Sequence, residues 1–176
     1  MTRNRKSTRS TVIAAVLCAL GVIVLALGAL VQVLDLSMAV IASLLVVLAV
    51  IELGGAYPYL VYAVTAILAM LLIPVKTAPL VYLCFAGYYP IVKAKLERHV
   101  RGVLCRLCKI VIFYAALVPL ALIAVKILLI PLPTAPWLYW LPALLAPVFV
   151  LYDVALTRLI TAYLRRWRDR FTFLRK

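Results

Sequence analysis

PLVYLCFAGYYPIV, residues 79–92, runs directly into KAKLERHVRGVLCRLCK, residues 93–109, and the architecture turns on how these two stretches are read. The first is an apolar run interrupted by Gly87 and Pro90. The second carries six basic residues, Lys93, Lys95, Arg98, Arg101, Arg106 and Lys109. If residues 79–92 cross a membrane, the basic segment emerges on the same side as the basic N-terminus and the basic tail. If they do not, the basic clusters fall on opposite sides. The run is short for a span, so it either crosses with its ends snorkelling or re-enters on one side.

Outward from this stretch the chain is a series of apolar runs. They cover residues 11–34, 36–51, 56–73, 79–92, 110–130 and 137–164, and a basic tail follows at 165–176. The first run is long enough to span a hydrocarbon core of roughly 30 Å at 1.5 Å per residue. It follows Arg3, Arg5 and Lys6, as a signal peptide would. Its length and the further spans behind it argue against a cleaved signal. Pro79 suits the first turn of a new helix, where its missing N–H is not needed. Pro131, Pro133 and Pro136 force the chain out of helix between the last two runs.

Charge tests the six-span count independently. Arg3, Arg5, Lys6 and Arg9 precede the first span. Arg158, Arg165, Arg166, Arg168, Arg170, Arg175 and Lys176 lie at the far end. With six spans, all of these share one side with the six basic residues of 93–109, and only Lys76 and Lys126 fall toward the other. Lys and Arg accumulate on the cytoplasmic side, so both termini are expected there. Trp137, Tyr139 and Trp140 sit where the last span leaves the outer surface, as interfacial anchors do. The expected fold is therefore an all-α integral membrane protein, one domain of six transmembrane helices.

Composition agrees. The 176 residues are 68% hydrophobic and 14% charged, against about 45–50% and about 25% in soluble domains. Mean hydropathy is +1.18. A soluble enzyme, a disordered tail and a disulfide-stapled secreted domain are excluded. The net charge of +14 is accounted for by topology and by contact of the basic face with anionic lipid. No nucleic-acid partner is needed.

Chemistry-bearing patterns are few. Cys105 and Cys108 are spaced C-x-x-C, but zinc requires a second pair or nearby histidines, and His99 is the sole histidine. His99 lies in a solvated charge run with no local partner to make it a base. No phosphate-loop, G-x-S-x-G or H-E-x-x-H pattern occurs. Neither enzymatic activity nor a metal or cofactor is expected.

The ionisable groups inside spans carry more weight, since each costs a few kcal/mol or more unless paired or hydrated, on the order of 2.5–3.5 kcal/mol at a span centre. Lys126, near the outer end of the fifth span, either snorkels to the outer headgroups or binds an anion in an outward cavity. Gln32, Asp35, Lys76 and Tyr82 are the other candidate contributors to an outer ligand site. Asp153 either pairs with Arg158 or Lys93, or joins Glu52 in a proton relay. In the first span Ala15 and Ala19 mark a small-residue face. Such a face serves either internal helix packing or the docking of a membrane partner.

Six short spans, both termini inside and Ala15-x-x-x-Ala19 in the first helix resemble the substrate-binding (S) components of bacterial energy-coupling-factor vitamin transporters. The stretches Leu34–Ser37, Ile51–Gly55, Phe85–Lys93 and Leu151–Asp153 also resemble an uncharacterised group of small bacterial membrane proteins near that superfamily. The resemblance implies a six-helix bundle in the bacterial cell membrane with an outward-facing pocket for a vitamin or similar small molecule. It implies docking of a transmembrane coupling subunit on Ala15 and Ala19, with cytoplasmic ATPases supplying the energy. Two other readings stand beside it. One is a non-transporting membrane scaffold or assembly factor, and the other is a proton-linked carrier using Glu52, Asp153 and Lys126.

Overall fold

The computed structural model describes the backbone of residues 2–31, 34–100, 102–126 and 141–166, and within these the side chains of 8–31, 34–100, 102, 104–123 and 145–165. The described chain is helical throughout, without a β-strand. α1 runs Thr2–Leu30. α2 runs Asp35–Leu48 and continues through a π-helical turn, Ala49–Leu53. α3 is Tyr57–Leu72. α4, Thr77–Val81, passes through a second π-turn, Tyr82–Ala86, to a break at Gly87 and Tyr88, and α5 resumes at Tyr89–His99. α6 is Val103–Lys126 and α7 is Leu141–Arg166. Among the described residues, four helical stretches are long and apolar enough to cross a membrane: Thr8–Leu30, Asp35–Leu53, Leu104–Ile123 and Leu145–Arg165.

Two boundaries differ from the sequence reading. The charged segment 93–109, which lies outside the apolar runs, is helical over most of its length. α5 carries its first half and α6 its second, and only residues 100–102 separate them, turning at Gly102 with φ 73°. Lys, Arg and Glu end an apolar run but are good helix formers, so the polarity boundary and the helix boundary part company. Similarly α2 does not stop at Ile51. The π-turn carries it to Leu53, where Gly54 and Gly55, at φ 62° and 58°, supply the left-handed backbone that ends it.

The chain divides into two compact units, residues 1–109 and 110–176. In the first, the buried positions of α1 are Ala14, Cys18, Gly21, Leu25 and Gly28, spaced alternately four and three apart. That spacing is a single seam along a helix. A side chain at Gly21 would meet the Thr65 methyl of α3 at 2.8 Å, and one at Gly28 would meet Met38 Cβ of α2 at 2.8 Å. Small residues thus let three helices close on one another, as dispersion-driven packing in lipid favours. α2 contributes buried Ala39, Ala42, Ser43 and Val46, and α3 contributes Val61, Ala66 and Ala69.

Contacts fix the helix directions in this unit. Cys18 Sγ lies 3.8 Å from Val61 O, and three residues on in α1 Gly21 meets Thr65, four residues on in α3. α1 and α3 therefore run parallel. The Lys76 ammonium bonds the carbonyls of Met70 and Ile73 at the C-terminal end of α3, each at 2.6 Å. The Lys95 ammonium sits 5.0 Å over the Tyr59 ring at the N-terminal end of the same helix. The broken helix from Thr77 to His99 accordingly returns along the whole of α3.

In the second unit the described contacts join α6 to α7 through Phe113 and Phe149, stacked at 4.6 Å and 16°. Both rings are buried, as are Ala116 and Leu156. Thr157 and Thr161 donate back to the carbonyls of Asp153 and Thr157, each at 2.8 Å, which satisfies their hydroxyls within the helix.

Candidate functional site

Asp35 opens α2, where a carboxylate complements the positive end of the helix dipole. One of its oxygens, Oδ2, accepts the hydroxyl of Thr77 at the start of α4. The other, Oδ1, is buried with no hydrogen-bond donor among the described residues. Thr77 follows Lys76, whose ammonium closes the carbonyls left open at the end of α3. Asp35 and Lys76, nominated separately from sequence, thus meet at one end of the first unit. They do so through different bonds, and Lys76 is committed to backbone. Thr77, the residue that joins them, carries no sequence signal beyond being polar two residues before Pro79.

Tyr82 lies one turn deeper on the same helix and is fully buried. Its ring packs 6.1 Å from Tyr62 of α3, which also meets Tyr88 edge-on at 6.3 Å. The π-turn explains the cluster. The Gly87 N–H bonds Tyr82 O, bypassing Leu83 O, and the Tyr62 hydroxyl donates to that bypassed carbonyl at 2.8 Å. Gly87 has room only for hydrogen here, since a Cβ would come within 2.6 Å of the Tyr62 ring and 2.9 Å of Tyr82. Tyr62 thus seals a backbone break.

On α1, Ala15 and Ala19 are exposed, while Ala14 and Cys18 beside them are buried in the seam. Val12, Val16, Leu20 and Ile23 are exposed with them. The side chains of Gln32 and Lys126 lie outside the described residues. Glu52 sits in the π-turn of α2, and Asp153 lies in α7 of the other unit.

At the opposite end of the first unit, α5 and the start of α6 bring basic residues together. Lys93 is buried and lies 3.6 Å from Glu97 one turn on. The Lys109 ammonium donates to the same Glu97 oxygen at 2.6 Å. Arg98 and Arg106 are exposed beside them. Of the basic side chains described in this unit, only Lys76 is at the Asp35 end. Cys18, Cys84, Cys105 and Cys108 are free thiols. Among the described residues no cluster of His, Cys, Asp and Glu has the makings of a metal site.

Comparison with protein-family models, with curated proteins and with solved structures finds no match for this chain.

Proposed function

We propose that the chain is a six-span protein of the bacterial cell membrane with both termini cytoplasmic. We further propose that it works as the substrate-binding subunit of an energy-coupling-factor-type importer for a vitamin or similar small molecule. The orientation is supported by the described basic residues of the first unit, of which only Lys76 lies at the end away from α5 and the start of α6. The crossing of residues 76–99 is supported by the contacts of Lys76 and Lys95 with the two ends of α3. At 16 residues, α3 is roughly 24 Å long. Tyr57 and Tyr59 at one end and Lys76 at the other supply the interfacial groups that a short span needs.

The observation that carries the functional reading is the division of labour on α1. Internal packing uses Ala14, Cys18, Gly21 and Gly28, and leaves Ala15 and Ala19 exposed. The Ala15 and Ala19 face is therefore not taken up by the described packing of the unit. An exposed pair four apart lets a partner helix approach the backbone closely. That partner is the coupling subunit, and the ATPases it recruits supply the energy. Ligand contact is assigned to the Asp35 end of the first unit, where Lys76 and Tyr82 also lie.

The test is co-isolation. Ala15→Leu with Ala19→Leu changes an exposed face, so the variant stays folded and loses a permease-sized partner that wild type retains in mild detergent. A variant that keeps its partner removes the face from the proposal. A panel of vitamins should raise the melting temperature of wild type, because a ligand that binds only the folded state stabilises it. The scaffold reading draws support from a specific observation: Lys76 and Tyr82 are already engaged in internal contacts. Partner co-isolation without any ligand shift would favour it.

A further inference from the structure

We infer that the α5–α6 junction is a binding site for an anionic phospholipid, with Arg98 and Arg106 holding the headgroup phosphate. Residues 93–109 place six basic side chains against one acid, Glu97. Glu97 is already engaged by Lys93 and Lys109, and the Lys109 bond ties the end of α5 to the first turns of α6. Arg98 adjoins Glu97 in sequence, and Arg106 is one helical turn before Lys109. The tie therefore places both arginines at a single junction of the two helices. Both are exposed. Lys95, one turn before Arg98, adds a third cation and rests on Tyr59.

The surroundings select lipid over a soluble anion. Leu104 is 61% exposed and Leu107 54% exposed, flanking Arg106 on the same turns of α6. Tyr59 and Leu60, at the facing end of α3, are exposed as well. A phosphate in water offers nothing to these apolar side chains. A phospholipid matches both parts, with its phosphate between guanidiniums, which present planar forks to phosphate oxygens, and its acyl chains against the leucines. Anionic headgroups are favoured over zwitterionic ones because the junction is net positive. The site serves an importer subunit and a scaffold alike, so its failure and the failure of the importer reading are separate results.

The experiment is lipid retention by native mass spectrometry. The full chain is taken from nanodiscs of phosphatidylcholine with equal phosphatidylglycerol. Wild type should keep phosphatidylglycerol preferentially. One basic residue near an anionic surface corresponds to about fivefold in affinity, so Arg98→Gln with Arg106→Gln should cut the preference by roughly twenty- to thirtyfold. Arg158→Gln with Arg165→Gln, two exposed arginines on α7 outside the junction, should cut it far less, and an equal loss overturns the inference. In wild type the preference should also fall as salt is raised, which tests the site without any substitution. Equal retention of the two lipids by wild type overturns the inference. So does an unchanged preference in the double variant, or displacement of the lipid by inorganic phosphate.

Discussion

Gly87→Ala is the sharpest test of the packing around the helix break. By local conformation the change should help. Gly87 is right-handed helical, φ −74° and ψ −42°, and replacing glycine by alanine at such a position gains up to about 1 kcal/mol through the unfolded chain. The neighbours reverse that sign. The new methyl would stand 2.6 and 2.9 Å from two atoms of the Tyr62 ring and 2.9 Å from the Tyr82 ring. Tyr82 is fully buried and cannot swing aside, so Tyr62 must move. Overpacking of this kind costs about 1–3 kcal/mol. Moving Tyr62 also breaks its 2.8 Å bond to Leu83 O, a net loss of about 1 kcal/mol. The balance is a destabilisation of about 1–3 kcal/mol. Unfolding in mixed micelles of rising SDS content measures it. Tyr62→Phe alone should cost about 1 kcal/mol, and the double variant should cost less than the sum, because both changes remove the same bond. A Gly87→Ala protein as stable as wild type would refute the close approach of these rings and the reason given for glycine there.

Lys76→Met keeps the apolar stem and removes the ammonium that closes Met70 O and Ile73 O, so it should destabilise by about 1–3 kcal/mol in the same assay; no change would return Lys76 to the pool of free ligand groups. For topology, single cysteines in a background lacking Cys18, Cys84, Cys105 and Cys108 should be labelled from outside at Thr134 and protected at Arg101. Labelling of Arg101 from outside would overturn the six-span orientation.

The class of this protein was legible in the sequence. Apolar runs separated by prolines, glycines and charges report directly on which segments leave water, because transfer into hydrocarbon depends on composition more than on neighbours. The helix break at Gly87 and Pro90 was equally readable, since both residues act on the local backbone. Boundaries were less so where helix outruns apolarity. α6 begins at Val103 and α2 ends at Leu53, and neither position is marked by hydropathy.

Partnership was decided only by tertiary structure. Ala14 and Ala15 are the same residue one position apart, and nothing in the sequence says that the first closes the seam and the second faces outward. That depends on the rotation of α1, which is set by Gly21 against Thr65 and Gly28 against Met38. Asp35 and Thr77 are 42 positions apart, and their meeting follows from α2 and α4 starting at the same end of the unit. Tyr62 shows the same limit. A tyrosine in a span suits an interface belt by composition alone, and its role at Leu83 O exists because the π-turn strands a carbonyl within reach of its hydroxyl. Sequence sets how each segment meets lipid. Which side chain meets which is settled by helix rotation and register, and those are fixed only when the helices pack.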